Sequence, residues 1–324
     1  MIISRTPLRI SFCGGGTDQK NYWEKHDGAV ISTSIDKYIY IIVKKRHDNQ
    51  IWLKYSQNET VDNIDDINHG IWRECLRHVG ITKGVEIVAL ADVPKGTGLG
   101  GSSAFTVGTL NALYALKGIS KSSSEIAKEA CEIEIDVLKE PIGKQDQYAC
   151  AVGGLNLIEF KKNGEVIMNP LIIDDKTGRK LSSNLLLFYT GVTRDAKEVL
   201  TEQQKNTDPQ KETLHKMKEF AYLAKDALHS SDFLRFGELL HENWEYKKRM
   251  ASNLSNSAID KYYDLARESG AVGGKICGAG GGGFFLFYVE PEKQDKVRNA
   301  LKELKEFEFN FESFGSKIIY IGEK

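Results

Sequence analysis

Pro94-Lys95-Gly96-Thr97-Gly98-Leu99-Gly100-Gly101-Ser102-Ser103-Ala104 is the stretch on which the reading of this chain turns. Four glycines fall within six positions, a serine pair follows, and the run from Ser102 to Lys117 has the apolar spacing of a helix. Glycine lets backbone amides approach an anion with no Cβ in the way. A helix start adds unpaired N–H groups and the positive end of a dipole. The preceding Val85-Glu86-Ile87-Val88-Ala89-Leu90 has the composition of a strand, so the glycines occupy a strand–loop–helix setting. That setting suits a polyphosphate and argues against a merely flexible surface loop.

Neither common nucleotide motif fits. A P-loop closes its glycines with Gly-Lys-Ser/Thr, whereas Lys95 here precedes them. The dinucleotide fingerprint spaces its glycines differently and needs an acid about twenty positions on, where this chain has serine and lysine.

Two further segments carry glycine clusters. Arg5-Thr6-Pro7-Leu8-Arg9-Ile10-Ser11-Phe12-Cys13-Gly14-Gly15-Gly16-Thr17-Asp18 is a short strand bearing Arg9 that runs into three glycines and an acid. It sets one cation and one carboxylate on either side of a tight turn, suited to a polyhydroxylated ligand beside a phosphate. Gly273-Gly274-Lys275-Ile276-Cys277-Gly278-Ala279-Gly280-Gly281-Gly282-Gly283-Phe284-Phe285-Leu286-Phe287 reads as a glycine turn feeding a buried strand. Alone, it could also be a low-complexity bend.

Taken in chain order, with Arg5–Asp18 first, Pro94–Ala104 second and Gly273–Phe287 third, the three segments resemble the three motifs of the GHMP kinases, the family of galactokinase, homoserine kinase, mevalonate kinase and phosphomevalonate kinase. The resemblance spans nearly the whole chain. It implies an α+β, two-domain GHMP kinase fold with the active site between the domains. It also implies ATP bound by Lys95, Gly96, Thr97, Gly98, Leu99, Gly100, Gly101, Ser102 and Ser103, and a sugar bound by Gly15, Gly16, Thr17, Asp18 and Gly280.

Composition agrees. At 324 residues, 41% hydrophobic and a net charge of −1, the chain can bury a substantial core and has no electrostatic bias toward nucleic acid or anionic membrane. No apolar run approaches the roughly eighteen residues of a spanning helix, and Met1-Ile2-Ile3-Ser4-Arg5 does not begin a signal peptide. Five cysteines (Cys13, Cys75, Cys131, Cys150, Cys277) are odd in number and include no Cys-x-x-Cys pair, which points to a reducing cytoplasm. Seven scattered histidines offer no pair at helical ligand spacing, so zinc is not expected. Small-molecule partners are expected, with neither nucleic acid nor membrane. The sequence leaves the oligomeric state open, a homodimer included.

Strands are expected over Gly28 to Arg46, Ile51 to Tyr55, Gly154 to Phe160 and Leu185 to Tyr189. Helices are expected over Ser102 to Lys117, Ser123 to Leu138 (stopped by Pro141) and Pro291 to Leu304. About eighty residues of helical pattern run from Arg194 to Gly270. The turn-rich Asp174-Asp175-Lys176-Thr177-Gly178 marks the expected boundary between an N-terminal domain, 1–178, and a C-terminal domain, 179–324.

Glu134 is conspicuous without any family knowledge. At about 100° per residue, Ile126, Ala127, Ala130, Val137 and Leu138 fall on one arc with Glu134 in its middle, and the other charges lie opposite. A carboxylate on a core-facing stripe needs compensation. Mg²⁺ with nucleotide phosphates is one partner and an Arg or Lys is another. The resemblance favours the metal, held by Glu134 and Ser103.

In Gly143-Lys144-Gln145-Asp146-Gln147-Tyr148 the aspartate is too short a motif to interpret alone. A kinase of hydroxyl groups needs an acceptor for the alcohol proton and a cation beside it. The resemblance to the sugar-specific branch implies Asp146 as base and Arg9 as its cationic neighbour.

Arg-Ile-Ser-Phe-Cys-Gly-Gly-Gly-Thr-Asp departs from the galactokinase form and is similar to that of the heptose-phosphate kinases. Ile35-Asp36-Lys37-Tyr38 and Gly191-Val192-Thr193-Arg194 are similar to that branch as well. The implied reaction is ATP-dependent phosphorylation of the anomeric hydroxyl of a heptose 7-phosphate, feeding GDP-heptose and a surface polysaccharide. A sugar phosphate needs a second anion site: Arg194 is the main candidate, with Lys144 and Arg5 behind it, and a solvated helix end is the plain alternative for Arg194. An unphosphorylated sugar as acceptor, and a non-catalytic sugar- and nucleotide-binding regulator, remain the other readings.

Overall fold

β-Branched and aromatic residues alternate through the first 45 positions, and in the computed structural model they form two long antiparallel strands, β1 (Ile2–Cys13) and β2 (Gly28–Lys45), joined through a short helix α1 (Lys20–His26). The structure describes residues 1–193, 196–251 and 254–322. The chain continues through β3 (Ile51–Lys54), β4 (Asn58–Val61), α2 (Gly70–Val79) and β5 (Val85–Ala91) into α3 (Gly101–Lys117) and α4 (Ser123–Cys131). Then come α5 (Gln145–Val152), β6 (Leu155–Phe160), β7 (Val166–Pro170), α6 (Asp175–Ser183) and β8 (Leu185–Tyr189). The four helices α7 (Ala196–Lys205), α8 (Lys211–His229), α9 (Phe233–Lys247) and α10 (Ser257–Glu268) lead to β9 (Ala271–Ile276) and β10 (Phe284–Val289). The chain closes with α11 (Gln294–Ala300), β11 (Lys305–Glu306) and β12 (Lys317–Ile321).

The strands make two sheets. One runs β12-β1-β2-β5-β3-β4, with β6 and β7 added where β2 turns from β5 to β6; the other runs β11-β8-β10-β9. Strand β2 is long enough to serve both neighbours: Ile39–Lys45 pair with β5 and Gly28–Thr33 with β6. Helix α3 packs on β1 and β2, while α8 and α9 pack against each other and against β2 and β9 respectively. The largest apolar core lies between these layers and includes Leu8, Ile10, Phe12, Val107, Leu110, Phe236 and Leu240.

Most expected elements occupy their expected places, and three corrections apply. The division into 1–178 and 179–324 does not follow the sheets at the C-terminus. Strand β12 pairs with β1, Phe311 bridges to Ile35, and Asn310 bonds to Asp36, because the end of the chain supplies an edge for the first sheet.

The expected helix from Ser123 to Leu138 changes character. From Glu132 to Val137 it widens into a π-helical segment, with Leu138 N–H donating to Ile133 O at 2.9 Å and Glu140 N–H to Glu134 O at 3.0 Å. The extra residue in the turn rotates the positions after it, so Val137 is 55% exposed rather than on the core stripe. Glu134, expected in the middle of that stripe, is 1% exposed.

The expected helix from Pro291 to Leu304 is shorter. A single 3₁₀ turn precedes α11, which ends at Ala300.

Candidate active site

Leu8, Ile10 and Phe12 are fully buried in the core. The alternation of a strand therefore turns Arg9 and Ser11 the other way. Arg9 reaches the first turn of α5, where its Nε donates to Asp146 Oδ1 and its Nη2 to Asp146 Oδ2, both at 2.7 Å. Its remaining arm, Nη1, donates to Gly98 O at 2.7 Å, and its backbone N–H to Leu99 O at 3.0 Å. One guanidinium so joins the first glycine motif, the phosphate-type loop and α5. Burial opposes its charge, and the Asp146 carboxylate more than offsets this, holding its pKa above the ordinary arginine value.

The loop Pro94–Gly101 ends in helix α3, whose N-cap is Gly100 in the left-handed conformation (φ 77°) with no capping side chain. The first amides of α3 thus have no side-chain acceptor, and the Cβ direction of Gly101 meets nothing within 4 Å. This is an opening for an anion at a helix start. Several other glycines sit where two loops meet. A Cβ on Gly98 would overlap Cys277 O, one on Gly278 would overlap Gly98, and one on Gly283 would overlap Thr97 O. At Gly98 a side chain has no room because the first loop and the turn at 277–283 interlock. Gly280 packs in the same way against Leu254.

Below α3 lies Glu134. Ser102 Oγ and Ser103 Oγ donate to its two oxygens at 2.9 Å each, and Gln147 Nε2 donates at 2.6 Å. Among the described residues no Arg or Lys lies within ion-pair distance of it. Burial raises its pKa, and these three donors act against that shift without cancelling it. A buried carboxylate beside a serine hydroxyl, at the amide end of a helix, is a set of hard oxygen donors that suits Mg²⁺.

Asp18 is also buried. Its Oδ1 accepts from Gly16 N–H at 2.9 Å and its Oδ2 from Gln145 N–H at 3.3 Å, so it fixes the first glycine turn against the start of α5. Burial raises its pKa and the Gly16 amide opposes this. Gly15 faces the Gln145 amide and Ser11 Oγ, each 3.7 Å from its Cβ position, and Gly16 (φ 103°) turns toward Leu214.

Other expected binders are engaged elsewhere. Thr17 spends its hydroxyl on Gly14 O and Ala29 O at 2.8 and 2.9 Å, a bond set that holds the turn rather than a ligand. The Nζ of Lys144 lies 4.1 Å above the Trp23 ring and donates to Gly164 O at 3.1 Å. Arg5 stacks on Tyr38 and faces Glu312. Lys95 and Gly96 are exposed, while Thr97 is buried and bonds to Pro94 O. Arg194 lies outside the described residues.

Four side chains joined to this region are not expected from the sequence motifs: Gln147, Asn243, Lys247 and Lys275. The last three come from α9 and β9, beneath the glycine turns. Phe236, Leu240, Asn243 and Lys247 share one helical stripe and all are buried. Polar residues on an apolar stripe are the same signal that singles out Glu134, and it is present in α9 as well.

Comparison with known proteins agrees with this geometry. Residues 67–154 match the model of the GHMP kinases N terminal domain and residues 224–306 that of the GHMP kinases C terminal domain. The chain belongs to the GHMP kinase family. It is 34% identical over 98% of both chains to D-glycero-alpha-D-manno-heptose 7-phosphate kinase of Campylobacter jejuni. The crystal structure of a D-glycero-D-manno-heptose 1-phosphate kinase from Bacteroides thetaiotaomicron covers all of both chains with a TM-score of 0.82 and 28% identity. L-fucokinase/L-fucose-1-P guanylyltransferase of Bacteroides fragilis is 26% identical over 94% of this chain and 36% of its own length. This GHMP protein is an ATP-dependent sugar kinase.

Proposed function

We propose that this kinase phosphorylates the anomeric hydroxyl of D-glycero-D-manno-heptose 7-phosphate, giving the 1,7-bisphosphate for GDP-heptose and a bacterial surface polysaccharide, in the cytoplasm. The observation that carries the chemistry is the two-fold hydrogen bond between Arg9 and Asp146 beside the opening at Gly101. Asp146 accepts the proton of the attacking hydroxyl. Arg9 holds both carboxylate oxygens in place and faces charge on the transferring group. ATP lies with its phosphates at the start of α3, and Mg²⁺, held by Glu134 and Ser103, neutralises phosphate charge when bound. The chain divides into an N-terminal domain, 1–178, and a C-terminal domain, 179–324, whose strand β12 pairs with β1.

The choice of acceptor follows the two heptose relatives, whose names place the acceptor phosphate at different carbons. An unphosphorylated sugar is the second reading, supported by the likeness to fucokinase. ADP release from Mg-ATP tests the reading directly, measured with heptose 7-phosphate, heptose, fucose, galactose or no sugar. Release that requires heptose 7-phosphate supports it. Release with a free sugar alone transfers the assignment to that sugar, and nucleotide binding without turnover would indicate a regulator.

A further inference from the structure

Lys247 is 6% exposed, and its Nζ donates to Gly278 O. An ammonium has three N–H donors, and the described residues supply no other hydrogen bond to it. One turn earlier on α9, Asn243 is fully buried. Its Oδ1 accepts from Gly14 N–H at 3.2 Å while its Nδ2 has no partner. Ser11 Oγ and Gln145 Oε1 are likewise buried without partners, around the same Gly14–Gly16 turn.

The charges deepen the problem. Arg9, Lys247 and Lys275 are all buried here. Arg9 is paired with Asp146, and Lys275 Nζ is bonded to Ser11 O at 2.6 Å and Phe12 O at 2.9 Å. Among the described residues no carboxylate lies within ion-pair distance of Lys247. Burial first, and then the repulsion of Lys275, brings the Lys247 amine down to about 7; Cys277 pulls the other way, and the smaller effects of Arg9 and Asp18 oppose each other. A buried cation is costly without a counter-charge, and a substrate anion would both provide one and use the free N–H donors.

We propose that Lys247, seconded by the Asn243 amide, binds a phosphate oxygen of a substrate and makes α9 the anion-recognising wall of the acceptor cleft. This rests on the kinase reading above. Two sources share the chemistry, the phosphate already on the sugar and the γ-phosphate of ATP. The first is favoured by the contact of Asn243 with the sugar-side turn at Gly14. Of the other described candidates for that phosphate, Lys144 and Arg5 are engaged elsewhere.

Lys247→Met keeps the length of the stem and removes the charge; Lys247→Gln is the second variant should the first fail to fold. Each is titrated calorimetrically with heptose 7-phosphate, unphosphorylated heptose, Mg-ADP and a non-hydrolysable Mg-ATP analogue. A hydrogen bond to a charged group corresponds to about ten- to a hundredfold in affinity. A loss of that size for heptose 7-phosphate alone identifies the sugar phosphate. The same loss for the ATP analogue, with Mg-ADP spared, identifies the γ-phosphate. All affinities within about twofold of wild type would overturn the proposal. Wild-type turnover of the sugar, measured alongside, keeps that outcome distinct from failure of the kinase reading itself.

Discussion

Arg9 and Asp146, 137 residues apart in sequence, face each other through two parallel hydrogen bonds of 2.7 Å. The pair is the point where three segments meet, because the third donor of Arg9 reaches Gly98 O. A base held through both oxygens in this way cannot rotate from the acceptor.

Asp146→Asn should therefore bind Mg-ATP and sugar nearly as wild type does but turn over about 10²- to 10⁴-fold more slowly. Steady-state kinetics beside a nucleotide titration checks this. Turnover close to wild type would remove Asp146 from the chemistry.

Glu134→Gln should separate function from stability. Burial holds the Glu134 carboxyl above its ordinary range, so the native state keeps its proton to higher pH than the unfolded chain does. The cost of the buried charge is then fully present above the raised pKa and disappears below the ordinary glutamate value. The nucleotide-free variant should gain on wild type in melting temperature as pH rises through that raised pKa, with the difference shrinking toward about pH 4. Its Mg²⁺ dependence and turnover should both deteriorate. Melting curves across pH, with and without Mg-ATP, decide it; a variant that melts lower at every pH would show that the carboxylate is structural.

Much of this site is legible in the sequence, and the parts that are not share a physical cause. Glu134 stands out because a charge on an apolar stripe is costly in any fold, and Arg9 and Asp146 are reachable through motif resemblance. Lys144 cannot be resolved in that way. Its sequence position beside Asp146 says nothing of Trp23, which captures its ammonium from a different element. Gly98 reads as phosphate clearance because the loop it interlocks with, at Cys277 and Gly278, is 179 positions further on. Val137 is misplaced by periodicity because a π-turn changes the angular step that the helical reading assumes constant. The return of β12 to β1 is a long-range pairing that no local pattern encodes.

Gly98→Val and Gly101→Ala should thus behave differently. The first puts a branched side chain at φ 82° against Cys277 O and should lower the melting temperature outright. The second adds a methyl group in open space at the start of α3. It should melt near wild type yet weaken ATP binding. Equal loss of stability in both would contradict the distinction.

Lys144→Ala should cost stability through its contacts with Trp23 and Gly164 O while leaving KM for the sugar within about twofold. A large rise in that KM alone would return Lys144 to the acceptor site.

Phosphoryl transfer to the anomeric oxygen of a heptose 7-phosphate is tested most directly by ³¹P NMR of the purified protein with Mg-ATP and that sugar phosphate. ADP should appear in step with a second sugar-phosphate resonance coupled to the anomeric proton, with the original 7-phosphate signal retained. A new phosphate coupled to any other carbon, or no new resonance while free heptose is phosphorylated, would contradict it.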